Sequence, residues 1–378
     1  MIPRPLRHTL SALLLALVLA LGTVGFAPTA QAAPSASVQR AALQKAALAR
    51  IKALLPADAA RRVAALRQET DVIDPTLYEC GPTELDAWVQ EQVASFSTVD
   101  RLVIQFTALD AYPTYDAMMF GDAADPFYAA PDAAVAGAFT GARAFWTPAL
   151  PATQLLGMRS EMVRDAAKVA RIGGLVFGFD AATAQLYGRL VTAYVRLSPG
   201  LQQGRHPILS FGAFASGDPG DDSANRIIIG HGLLVGYDDL GYADVAGPFI
   251  TAHEVGHTVQ LAAGLYDAYT GEPEETRYLE LMADATAAYY SAHPAGLDLR
   301  EQRVEQFVAV ARTVGDCAFD SGGHHGTPNQ RARAAQWAAT VSDAARPAGR
   351  VLTFAEFRYA FDAAYPNLIA PDAAPADA

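Results

Sequence analysis

The sequence predicts an α+β protein, mostly helical with one small sheet, in which a helical N-terminal region precedes the main domain. Three observations carry that expectation. Apolar residues recur at helical spacing through most of the second half of the chain, short β-branched runs lie between residues 208 and 235, and cap or breaker residues punctuate the boundaries. With 378 residues, 51% apolar and 18% charged, the chain is globular in composition and long enough for an extensive core. A formal charge of −12 lacks the basic footprint that a phosphate backbone requires, so nucleic acid is not an expected partner.

At the N-terminus Arg4 and Arg7 precede an uncharged apolar run over residues 10–21, and Ala30-Gln31-Ala32 supplies the small residues that signal peptidase requires. The run is shorter than the roughly 20 residues needed to span a bilayer. Residues 1–32 are therefore expected to be a cleaved signal peptide, leaving a secreted or periplasmic protein with no stable membrane insertion. In that compartment disulfides persist, and Cys80 and Cys317 are expected to pair. So long a closed loop stabilises a fold by roughly 4–5 kcal/mol in the chain-entropy model.

Residues 33–97 read as the helical N-terminal region. An alanine-rich amphipathic pattern over 37–67, with Leu43, Ala47, Ile51, Leu54 and Leu55 on one side, gives two helices interrupted near Pro56. It could pack on the domain, act as a propeptide or form a surface arm. A helix follows over 83–95, with Thr83 and Asp86 as a capping pair. The main domain is expected to run from 98 to 365. Residues 99–108, β-branched and aromatic, read as a strand, and 112–151 as irregular structure. Helices are expected over 158–172 and 181–197, strands over 208–214 and 225–235, and a helix from Pro248 through 263. Further helices follow over 274–291 and 299–314, and another opens at Thr327, where Pro328 and Gln330 complete an N-terminal signature. Residues 366–378 read as a disordered acidic tail.

The most informative stretch is His253-Glu254-Val255-Gly256-His257. On a helix, positions i and i+4 share a face, so both imidazoles can reach one ion while Glu254 points at a water held there. Two histidines do not complete a catalytic zinc site, which normally takes three protein ligands. Downstream, Glu280 and Asp284 stand four apart on an otherwise apolar helix. Buried like charges at that spacing are costly unless something positive neutralises them, and a divalent cation would do so. Glu280 is therefore expected as the third ligand and Asp284 as the acceptor behind a ligating histidine. A solvated or Arg277-paired acid couple is the alternative. Glu272, Glu274 and Glu275 compete as ligands but fall near the helix start, where acids already favour the dipole. The glycine-rich loop Gly322-Gly323-His324-His325-Gly326 offers a hydrogen-bond donor for an oxyanion, with His325 preferred over His324.

These residues resemble the bacterial neutral zinc metallopeptidases of the gluzincin type. The matching motifs are His253-Glu254-Val255-Gly256-His257 with Val259-Gln260, Glu280-Leu281-Met282-Ala283-Asp284, and His325-Gly326-Thr327 with Gln330-Arg331, within residues 225–340. Thr258 stands where that family often has a third adjacent histidine, and Ala285 where a cysteine is common. The resemblance implies a zincin-like domain, Zn2+ as cofactor, peptide or protein as substrate, and an edge strand over 225–234 that pairs with extended peptide. It also implies peptide-bond hydrolysis, with Glu254 as general base toward water activated by the metal.

Two other readings come from different classes. Glu79-Cys80-Gly81-Pro82-Thr83 resembles the nucleophile segment of papain-like bacteriocin-processing peptidases, with His231 as the base. A non-catalytic zinc-binding secreted scaffold is the other, although structural zinc sites usually have four protein ligands and favour cysteine.

Overall fold

In the computed structural model the described residues are 36–64, 73–146, 150–218, 221–267 and 269–374. The expected signal peptide lies outside them. The chain divides into a short unit, residues 1–41, and a large one, residues 42–378, to which everything below refers unless stated.

The two expected N-terminal helices are α1 (Ala36–Leu54) and α2 (Ala59–Ala64). On the expected apolar side Ile51 is buried and Ala47, Leu54 and Leu55 pack partly buried against the core, but Leu43 is 56% exposed, and Gln44 and Leu48 are buried beside them. Then come α3 (Glu84–Ala94), with the Thr83/Asp86 capping box, and α4 (Thr98–Thr107). The strand expected over 99–108 is thus a helix. Its Ser97/Asp100 capping box and the burial of Asp100, Val103 and Thr107 at helical spacing override the local β-branched preference.

The stretch expected to be irregular holds α5 (Tyr112–Phe120) and α6 (Ala133–Phe145). In α6 the inward positions Val135, Ala138, Ala142 and Phe145 follow a 3–4 spacing, but alanine on both faces hides the contrast. Strand β1 (Gln154–Met158) ends at the first residue of the helix expected over 158–172, whose start is instead a short 3-10 turn over Ser160–Arg164, and α7 (Ala166–Phe177) begins only at the Asp165 cap. Helix α8 (Ala181–Leu197) lies where expected.

Strands β2 (Ala213–Asp218) and β3 (Asp221–Gly230) follow, then α9 (His231–Asp239), α10 (Ala243–Ala262), α11 (Pro273–Ala292), α12 (Gln302–Thr313), α13 (Pro328–Ala345) and α14 (Phe354–Leu368). Helix α10 runs through Pro248 rather than starting after it. The tail expected from 366 begins inside α14, and Asp372 is held by Arg333 and by Asn329 at 3.0 Å, while 375–378 lie outside the described residues.

The sheet has the order β1-β3-β2, with β1 parallel and β2 antiparallel to β3. The strand expected at an edge, residues 225–234, is therefore central as far as Gly230 and helical beyond it. The outer strands are β1 and β2. This small sheet with its surrounding helices is an α+β architecture.

Two large apolar clusters divide the interior. One joins α1 and α2 to α4, α7 and α8 through Ile51, Val63, Val103, Tyr187 and Val191. Side chains from both sides of residues 97–98 share this core. The other cluster gathers α6, α10, α11, α12 and α13 around Phe249, Val255, Met282, Phe307 and Ala335. Helices α10 and α11 are buried on nearly every side, as central elements of a helical layer must be. The cysteines pair as expected, with Cys80 bonded to Cys317 and Cα atoms 5.8 Å apart.

Candidate metal centre

Helices α10 and α11 approach closely because Gly256 has no side chain. A Cβ there would lie 2.3 Å from Thr286 Oγ1 and 3.2 Å from the Ala283 Cα. That approach brings one turn of each helix face to face. His253 and His257 project from α10 and Glu280 from α11, and their ligand atoms cluster within 4.8 Å of one another.

The distances are close to what one ion requires. His253 Nε2 lies 3.1 Å from His257 Nε2 and 3.3 Å from Glu280 Oε2, and His257 Nε2 lies 3.3 Å from Glu280 Oε1. Donors bound tetrahedrally to zinc at ~2.0–2.1 Å would stand about 3.3–3.4 Å apart. The opposite side of each imidazole is committed elsewhere. His253 Nδ1 donates to Asp284 Oδ1 at 3.0 Å, and His257 Nδ1 donates to Gln260 Oε1 at 3.0 Å. With both Nδ1 protons so placed, both Nε2 lone pairs face one point. The three residues could hold a metal ion.

The charges reinforce this geometry. Without a cation, burial works against a charged His253, but its hydrogen bonds to Asp284 and Glu280 outweigh that and raise its pKa to about 10, so a cation entering the site would have to displace the Nε2 proton. Burial alone would likewise raise Glu280; the charges of His257 and His325, with hydrogen bonds from His253 and His257, hold it well below the usual carboxylate range. Glu254 is 5% exposed and carries no comparable set of donors, so burial raises its pKa. Two acids of one site are thereby driven apart, one ionised firmly and one poised to exchange a proton.

His325 stands in the loop ahead of α13, half-exposed, and lines the same cleft as Glu254 and Glu280. Burial of its ring lowers its pKa, but the charge of Glu280 and the hydrogen bond that the ring donates to Asp316 raise it overall. Asp316 organises this loop: Oδ2 accepts from the His325 backbone N–H at 2.9 Å and from Nδ1 at 2.8 Å, while Oδ1 accepts from His324 Nδ1 at 2.5 Å. His324 is fully buried and does not line the cleft. The neighbour Cys317 ties the loop to Cys80.

The arginine that meets the acid pair on α11 is Arg331 rather than Arg277. Arg331, 2% exposed, reaches Asp284 Oδ2 through Nε at 2.6 Å and Oδ1 through Nη2 at 2.7 Å, with Nη1 3.4 Å from Glu280. Arg277 pairs with Glu274. Glu275 accepts from Thr270, so neither competing acid joins the cluster, and Glu272 is the N-cap residue of α11.

Four residues of this site escaped the sequence reading: Gln260, Tyr266, Asp316 and, in its actual role, Arg331. The Gln260 Nε2 donates to the Leu279 carbonyl at 2.7 Å, which fixes its amide so that Oε1 faces His257. The Tyr266 hydroxyl lies 3.1 Å from His257 Nδ1 and donates to Gln260 Oε1 at 3.3 Å. The motif position of Gln260 was the one available signal.

The cleft has a volume of about 660 Å³. One wall is β2 and the residues before it, from Phe211 to Ala215; another comes from α3 through Leu85 and Val89. The cysteine-peptidase reading fails here, because Cys80 is bonded to Cys317 and has no thiolate to offer, and His231 is exposed at the start of α9 outside the cleft lining. Compared with protein-family models, curated proteins and solved structures, the chain matches none of them.

Proposed function

We propose that the protein is a secreted zinc-dependent metallopeptidase with a zincin-like catalytic arrangement. One observation carries the reading: two imidazole Nε2 atoms from α10 and the Glu280 carboxylate from α11 converge at 3.1–3.3 Å while the buried Glu254 stands beside them in the same cleft. Among the described residues no helix is long and apolar enough to cross a membrane. Export itself rests on the pattern of residues 1–32 and is favoured by the Cys80–Cys317 bond.

His253, His257 and Glu280 would hold the cation. Bound there, zinc supplies Lewis-acid polarisation of a substrate carbonyl and acidifies water at neutral pH. Glu254 then takes the proton of the attacking water, and its raised pKa lets it return that proton to the leaving amine. His325, whose pKa the charges of Glu280 and Asp316 raise, donates a hydrogen bond to the oxyanion that develops on the former carbonyl. The outer strand β2, with Ala213 and Ala215 on the cleft, offers backbone groups to an extended peptide, the role that the resemblance gives to residues 225–234.

The test is peptide cleavage by the purified protein, with and without chelator, alongside Glu254→Gln. We expect cleavage that chelation abolishes and zinc restores, and a variant that keeps its zinc while turnover falls by roughly 10²–10⁴-fold. Undiminished turnover in Glu254→Gln contradicts the assignment.

A further inference from the structure

The sequence places Glu280 and Asp284 on one face of α11, and burial makes such a pair expensive unless it is neutralised. A bound cation is one solution. The fold provides another from a different helix. The Thr327/Gln330 capping box sets the start of α13, so Arg331 falls in its first turn, on the side that packs against α11. Both Asp284 oxygens accept from its guanidinium, at 2.6 and 2.7 Å, and its remaining Nη1 reaches toward Glu280 at 3.4 Å. Asp284 is fully buried, and its Oδ1 also accepts from His253 Nδ1 at 3.0 Å. The carboxylate is thereby pinned behind the ring of His253, away from the point on which the Nε2 atoms converge.

We propose that Arg331 is a positioning residue and the resident counter-ion of the site. It balances the charge of Asp284 and reaches toward Glu280 whether or not a cation is bound, so the ligands are arranged in advance and the fold does not depend on metal. In small structural zinc modules, by contrast, the energy of metal binding is the energy of folding. A bidentate arginine suits this task because its charge is permanent and its planar fork fixes the orientation of the carboxylate. Only the part concerning ligand arrangement rests on reading His253, His257 and Glu280 as a zinc site.

The experiment compares thermal unfolding and near-UV circular dichroism of chelator-stripped and zinc-loaded full-length protein. Stripped wild type keeps its native near-UV spectrum and loses only a few degrees of Tm. Arg331→Met keeps the apolar stem and deletes the charge, and in this variant the stripped form loses far more. Its zinc-induced rise in Tm is at least twice that of the wild type. Adding Asp284→Asn removes the orphaned charge and recovers at least half of the lost Tm in the stripped state. A wild type that unfolds on stripping overturns the proposal, as does an Arg331→Met variant with the wild-type zinc shift. If Arg331→Met does not fold, recovery of a folded stripped protein by the double variant supports the proposal, and failure to recover contradicts it. Absence of zinc binding in the wild type would instead remove the metal reading, and the stripped-state comparison of the three proteins would still decide the role of Arg331.

Discussion

Gly256 and Thr286 face each other across the α10–α11 contact so closely that a Cβ on the glycine would stand 2.3 Å from the threonine hydroxyl. That hydroxyl is itself held by the Ala283 carbonyl at 2.8 Å, so it cannot swing aside freely. Gly256→Ala is expected to destabilise the protein by about 1–3 kcal/mol through overpacking. It should also separate His253 and His257 from Glu280 and weaken zinc binding by on the order of 10-fold. Thr286→Ala in the same chain removes the nearest obstacle and should recover part of both losses. Urea unfolding and zinc titration measure the two effects, and wild-type values for Gly256→Ala would show that the helix spacing does not set the site.

Gln260 links the backbone of α11 to the ring of His257, since its amide donates to the Leu279 carbonyl and accepts from Nδ1. Gln260→Leu leaves that carbonyl and that N–H without their partner, at about 1–3 kcal/mol of stability, and should weaken zinc binding by roughly 10–100-fold. Tyr266→Phe removes one donor to the same amide and should have the smaller effect. Zinc affinities measured by competition with a chromophoric chelator rank the two; equal effects would mean that the amide does not orient the ring.

His206 is fully buried, packed edge-on against Phe96, and burial lowers its pKa below the usual histidine value. Below about pH 6.5 the unfolded chain binds a proton that the folded one refuses, so this residue makes stability fall as pH drops from that value. Above it the contribution is constant. His206→Gln should therefore show a shallower loss of stability than the wild type between pH 6.5 and 5. Urea midpoints across that interval test the difference, and parallel curves would assign the acid sensitivity elsewhere.

What was legible in the sequence was whatever depends on neighbours along a helix. The i,i+4 pairs His253/His257 and Glu280/Asp284, and the Thr83 and Thr327 caps, are local patterns, and the structure has them on one face or at one helix end. Helix α6 was not legible, because alanine and glycine occupy both its inner and outer faces, and α5 was not, because it buries Asp116 while exposing Met119 and Phe120. Helix α4 was misread because its β-branched residues suggest a strand until Ser97 and Asp100 are seen to close the cap. Strand order was out of reach too, since only the pairing of β1 with β3 makes residues 225–230 central. Arg331 meets Asp284 across 47 residues of chain, and no periodicity connects them. The buried acid pair pointed to a positive partner, but could not say that an arginine would supply it.

The central claim is that His253, His257 and Glu280 grip one divalent cation. Zinc content of the purified wild type beside His257→Ala and Glu280→Ala, determined by elemental mass spectrometry after dialysis against trace zinc, tests it most directly. One equivalent in the wild type and a large loss in each variant is the expected result; no zinc in the wild type, or undiminished zinc in both variants, would contradict it.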